Sequence, residues 1–135
     1  MVLTVKTNLG NIIVNSNIIA KVLIRAVAKT DNKLFLSNSK GKILGAATKL
    51  SAGDMTGNFV MSETDGKYHL DFYAVIRFGA SISGVSKIVL DYVEEKLREM
   101  FPDKGAKITL HIVGIKSKQI ATRNIEVKRE YEASR

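Results

Sequence analysis

Two serines, two histidines and a few carboxylates are the residues from which chemistry would have to be built. Gly79-Ala80-Ser81-Ile82-Ser83 starts like a nucleophile elbow, the tight strand-to-helix turn that exposes a catalytic serine. That motif needs glycine two residues after the nucleophile, and Ser83 stands there. The competing role for Ser81 is a helix cap, its oxygen accepting a bond from an unpaired amide of the first turn. His69 and His111 are the two histidines of the chain, and zinc between them would need two further ligands from carboxylates. A histidine that simply hydrogen-bonds on a strand is the simpler reading. Asp65 and Asp71 can be paired on paper as acid and base, but Asp65 belongs to an Asp-Gly turn signal. With no cysteine, disulfides, thiolate metal sites and thiol catalysis are excluded. No nucleophile, base and orienting group assemble from this inventory, so the expectation is no enzyme, no cofactor, no metal and no small-molecule substrate.

Charge is the stronger signal. The net charge of +8 is uneven, with balances of +7 over residues 1–50, −3 over 51–100 and +4 over 101–135. Such ends attract polyanions or acidic partners, although a pI near 9.8 also serves solubility alone. Lys21, Arg25, Lys29, Lys40 and Lys42 form the candidate surface for weak polyanion binding or for a protein partner. A small basic nucleic-acid-binding protein is the alternative function. Against it, the nearest Gly-x-x-Gly candidates, Gly41 to Gly45 and Gly53 to Gly57, have three intervening residues. Phe72 and Phe78 also share the strand face expected to be buried, which leaves no aromatic RNA-binding strand.

These residues must be positioned by a strand, a helix and a second strand between Tyr68 and Ile115. Tyr68, Leu70, Phe72, Ala74, Ile76 and Phe78 alternate onto one face, with His69, Asp71, Tyr73, Val75 and Arg77 on the other. Gly79 breaks that period. From Ser81 the apolar residues take helical spacing at Ile82, Val85, Ile88, Val89, Tyr92, Val93 and Leu97, until Pro102 stops the helix. Alternation returns at Ile108, Leu110 and Ile112. Upstream, Leu3 to Val14 around Asn8, Leu9 and Gly10 predicts a hairpin, and Ser16 caps a helix from Asn17 to about Lys29 with Ile18, Ile19, Val22, Leu23, Ala26 and Val27 inward. Leu34–Leu36 predicts a short strand, whereas residues 31–57 otherwise show little period. Asn58–Glu63 leads through Asp65-Gly66 into the central strand. Residues 117–135 read as a basic tail in which Ile125 and Val127 alternate as in an edge strand.

The stretches Gly10-Asn11-Ile12-Ile13-Val14-Asn15-Ser16, Asp71-Phe72-Tyr73-Ala74-Val75-Ile76-Arg77-Phe78-Gly79-Ala80-Ser81-Ile82 and Ile108-Thr109-Leu110-His111-Ile112-Val113-Gly114-Ile115, in this order, resemble the alkaline shock protein family of Gram-positive bacteria. The similarity spans about residues 10–116. Thr30-Asp31-Asn32-Lys33 stands where family members usually carry a Gly-Val pair, and the tail is basic where relatives are commonly acidic or hydrophilic. The resemblance implies a small, non-enzymatic cytoplasmic protein of envelope stress or homeostasis, often held near the membrane by a separate, membrane-anchored partner.

The fold expected is α+β in two layers: a mainly antiparallel sheet with two helices packed on one face, a domain over residues 1–116 and a tail over 117–135. Its core should hold Ile18, Val22, Leu23, Phe72, Ile76, Val85, Val89, Val93, Leu97, Leu110 and Ile112. No apolar run approaches the ~20 residues of a membrane span, and the amino terminus lacks a signal-peptide layout, so the cytoplasm is the expected location. Ala20, Ile24 and Ala28 are left over from the inward stripe of the first helix, and two readings stand: a self-association strip that forms a homodimer, or a face covered by residues 31–57 of the same chain. Gly79 and Ser81 are the expected structural turn.

Overall fold

The computed structural model describes residues 2–7, 10–45, 50–55 and 57–133. A hairpin of β1 (Val2–Thr7) and β2 (Gly10–Asn15) runs directly into α1 (Ser16–Ala28). Asn8 and Leu9 of its expected turn lie outside the described residues. Then follow β3 (Leu34–Ser37), a 3-10 turn (Ala52–Met55), β4 (Phe59–Thr64), β5 (Lys67–Arg77), α2 (Ile82–Met100), β6 (Gly105–Lys116) and β7 (Ile120–Tyr131). Among the described residues the two helices cover one face of a five-stranded, mostly antiparallel sheet, an α+β fold.

Strand β5 is the spine of the sheet. Its amino-terminal half pairs antiparallel with β4 through the Asp65-Gly66 turn, where φ is 54° and 78°, and its carboxyl-terminal half pairs antiparallel with β3 along the same edge. Along its other edge it runs parallel to β6, from Lys67↔Gly105 to Arg77↔Lys116. The pairing is parallel because a whole helix, α2, carries the chain back before β6 begins. Strand β7 then pairs antiparallel with β6 and ends the sheet. Residues 120–131 are thus the edge strand that the alternation of Ile125 and Val127 predicts, longer than those two residues imply, and Tyr131, 8% exposed, joins the core. Gly105 is required here by close approach, since a Cβ would stand 2.3 Å from the Tyr131 carbonyl oxygen.

The core lies between the sheet and the helices. Leu70, Phe72, Ala74, Ile76, Ile108, Leu110 and Ile112 are fully or almost fully buried against Val85, Val89, Val93 and Leu97. Two expectations are corrected. The buried arc of α1 is Ile19, Ala20, Leu23, Ala26 and Val27, while Ile18 is 50% exposed and Val22 only partly buried. The helix is rotated because it seats on α2, β3 and the 3-10 turn together, with buried Met55 closing over it. Phe78 is 72% exposed: β5 ends at Arg77, and the Phe78 amide is still held to β6 while its ring is left uncovered.

A charged latch fixes α2 to β7. Arg129 donates to Asp91 at 2.9 Å and to Glu94 at 3.0 Å, Lys87 and Arg98 each bind one of the same carboxylates, and the Arg98 guanidinium lies 4.1 Å from the Tyr131 ring centre. Hydrogen bonds from Lys87 and Arg129 hold the Asp91 carboxyl below the usual carboxylate range. Partial burial alone would raise Glu94, but the bonds from Arg98 and Arg129 outweigh it and lower it as well. Both carboxyls titrate below their unfolded values, so the latch stabilises the fold above about pH 5 and is lost as pH falls through the folded values. Because the groups are partly solvated, Arg129→Met should cost about 1 kcal/mol at pH 7 and less at pH 3. Urea unfolding at the two pH values checks this; an equal loss at both would show that the latch carries no charge-dependent stability.

Candidate functional site

The structure gives most of the chemically suggestive residues ordinary partners. Ser81 is the N-cap of α2, its Oγ accepting from the Gly84 amide at 3.1 Å. His111 Nε2 lies 2.9 Å from Asp71 Oδ1 on the sheet face away from the helices, and its ring stacks on Tyr73 with centroids 4.9 Å apart. Asp65 sits in the β4–β5 turn, whereas Asp71 lies well along β5 opposite Val60, so the two do not pair. Among the described residues no three His, Asp or Glu side chains lie close enough together to hold a metal ion.

The five predicted basic residues divide into two groups. Lys21, Arg25 and Lys29 line the exposed face of α1, where Ile18 joins them at helical spacing and the Lys29 ammonium reaches 5.0 Å from the Tyr92 ring centre. Lys40 and Lys42 stand in a loop held by their amides donating to Asn38 Oδ1, with Gly41 of that loop packed against Val113 of β6. Of the two readings of the Ala20, Ile24 and Ala28 strip, the structure shows the one within the chain, the 3-10 turn of residues 52–55 packing on α1. Ala20 is 1% exposed and Ile24 packs against the core, which leaves Ala28 alone in solvent. Small residues of α1 seat it within its own chain.

A concavity lies elsewhere, at the carboxyl ends of β5 and β6. It is a cleft of about 520 Å³ lined by Phe35, Arg77, Phe78, Lys116, Ser117 and Lys118. The parallel register sets Arg77 beside Lys116, and the Phe78 amide donates to the Lys116 carbonyl at 2.8 Å. The Lys116 ammonium lies 5.1 Å from the centre of the Phe35 ring. Arg77 receives its own backbone contact from another direction, its amide donating to the Lys33 carbonyl at 2.8 Å. None of Lys33, Arg77, Lys116 and Lys118 takes part in an ion pair among the described residues, in contrast to Lys67, Lys87, Lys96 and Lys104. This cationic and aromatic pole was missed in the sequence, because Phe78 continues the buried alternation of β5 and Lys116–Lys118 look like the start of a tail. Gly79, which closes the strand immediately after Phe78, was the available signal.

The model of the alkaline shock protein family, described by a cell envelope-related function, matches residues 4–117. The chain belongs to this family. Curated proteins and solved structures give no match. The reversal after α1 is made by Asp31 and Asn32, which take φ of 54° and 61°, a region their short polar side chains tolerate. Buried Thr30 completes that turn, its Oγ1 donating to the Val27 carbonyl at 2.7 Å and accepting from the Leu34 amide at 3.2 Å. No helix among the described residues is long and apolar enough to cross a membrane.

Gly79 aims Phe78 and starts α2. Its φ is +86°, and a Cβ there would meet nothing within 4 Å, so a substitution is penalised by backbone strain alone. Gly79→Val should therefore destabilise the protein by about 1–3 kcal/mol, and Gly79→Asn by clearly less, since asparagine visits this region readily. Chemical denaturation of the two variants checks the order; equal effects would show that the turn relaxes to another conformation.

Proposed function

We propose that this alkaline shock protein is a non-enzymatic module of envelope stress or homeostasis that acts from the cytoplasmic side by binding a protein partner held at the membrane. The family match over residues 4–117, with its cell envelope-related function, carries the reading. The outer face of α1 is the surface assigned to the partner. It combines an exposed aliphatic, Ile18, with Lys21, Arg25 and Lys29, so it suits an acidic segment that also presents an apolar side chain. Mutual repulsion among the three cations is relieved by such a partner and is tolerated without one because α1 is anchored by its buried arc.

Affinity capture from nuclease-treated extracts of the source cell, with wild type compared against Lys21→Glu/Arg25→Glu, tests this directly. An envelope protein should be retained by wild type and reduced at least about tenfold by the charge reversal, with the melting temperature unchanged. Loss of all bound material on nuclease treatment, or equal recovery with the variant, would overturn the assignment.

A further inference from the structure

The pole at the ends of β5 and β6 leaves two apolar side chains open to water, Phe78 for most of its surface and Ile120 in part, with Ile120 Cγ2 lying over Gly114. Phe78 is 72% exposed and Ile120 is 43% exposed. Both flank one residue: the Phe78 amide donates to the Lys116 carbonyl, and Ile120 is the partner of Lys116 on β7. Around them, residues 31–35, 77–80 and 114–123 contribute the cations Lys33, Arg77, Lys116, Lys118 and Arg123 against a single acid, Asp31. Three chain segments thus converge on one cationic rim with the protruding Phe78 and the part-exposed Ile120 beside it.

We infer that this pole docks directly on an anionic lipid bilayer, with Phe78 and Ile120 entering the boundary between headgroups and acyl chains while the cations meet lipid phosphates. Unpaired cations are attracted to a negative membrane surface, and long basic side chains keep their charge in the headgroup layer while their stems lie along apolar material. Exposed apolar groups at the centre of such a rim have a reason to be there, since burial in the interface removes them from water. Single-stranded nucleic acid offers phosphates too, but it is held by successive stacking platforms along a groove. Here Phe35 is half-buried with the Lys116 ammonium over its ring, Phe78 is the one free ring of the cleft, and Ile120 is aliphatic. The inference goes beyond the partner reading and does not depend on it, because it uses a different surface and needs no second protein.

Co-sedimentation of the purified full chain with vesicles tests it. The protein should bind an equimolar mixture of phosphatidylcholine and phosphatidylglycerol, fail to bind phosphatidylcholine alone, and lose affinity with salt. Each cation removed from the contact should weaken binding about fivefold, so Lys116→Gln/Lys118→Gln should lose roughly 25-fold, and Lys21→Gln/Arg25→Gln on α1 less than about twofold. Phe78→Ser should weaken binding at unchanged net charge. Phe78→Trp keeps an aromatic in place and should show a blue-shifted emission on the mixed vesicles alone. Equal binding to both vesicle types, equal losses in the two charge-matched double variants, or an unshifted emission from Phe78→Trp would overturn the inference. So would tighter, Phe78-dependent binding to a single-stranded oligothymidylate, which would make the pole a nucleic-acid site.

Discussion

The parallel pairing of β5 with β6 is the constraint on which the rest of the molecule depends. Two strands that follow each other in an antiparallel sheet finish at opposite ends, but β5 and β6 are separated by α2 and therefore run the same way, Arg77 ending beside Lys116. Everything placed after β5 and after β6 meets at one pole. Without that direction, Phe78 and Lys118 would stand a strand's length apart, and the cleft between them would not exist. The helix that imposes the direction is itself held twice, by burial of Val85, Val89, Val93 and Leu97 and by the ion pairs of Asp91 and Glu94 with Arg129 of β7.

Charge is handled differently at the two ends of the sheet. At the amino end of β5, Lys67 pairs with Glu130 and Glu132, and Lys104 pairs with Glu63, whose side chain is only 2% exposed. These cations complete the fold. At the carboxyl end Lys33, Arg77, Lys116 and Lys118 carry no such partner among the described residues, and the apolar tips beside them are open to water. The uneven net charge is in this way sorted into a neutralised structural end and an available one. Exposed faces of α1 add a second, separate cationic surface, which is why one basic patch spanning residues 21–42 does not describe the molecule.

Much of the architecture was legible in the sequence because it is written in period changes. Alternation to Ile76, the break at Gly79 and the helical spacing to Leu97 set β5 and α2 to within a residue or two, and Asp65-Gly66 marked the hairpin before them. What periodicity cannot carry is direction and rotation. Nothing in the pattern of β6 says that it runs parallel to β5. The rotation of α1 was equally open, since roughly three quarters of its circumference is apolar, and it was settled by Met55 and the 3-10 turn, from the least periodic stretch of the chain. Phe78 was misplaced for a related reason: alternation continued one residue beyond Arg77, the last strand residue, and the positive φ of Gly79 marks where the strand stops.

The convergence of the two strand ends can be measured without reference to any ligand. The chain has no cysteine, so Phe78→Cys/Lys118→Cys introduces the two spin-label sites and no others. Double electron–electron resonance should then report a narrow distribution below about 20 Å, as expected for strands that end side by side. An antiparallel β6 would place Lys118 at the other end of β5, roughly 35 Å away for an eleven-residue strand, and a distribution centred there would contradict the single pole.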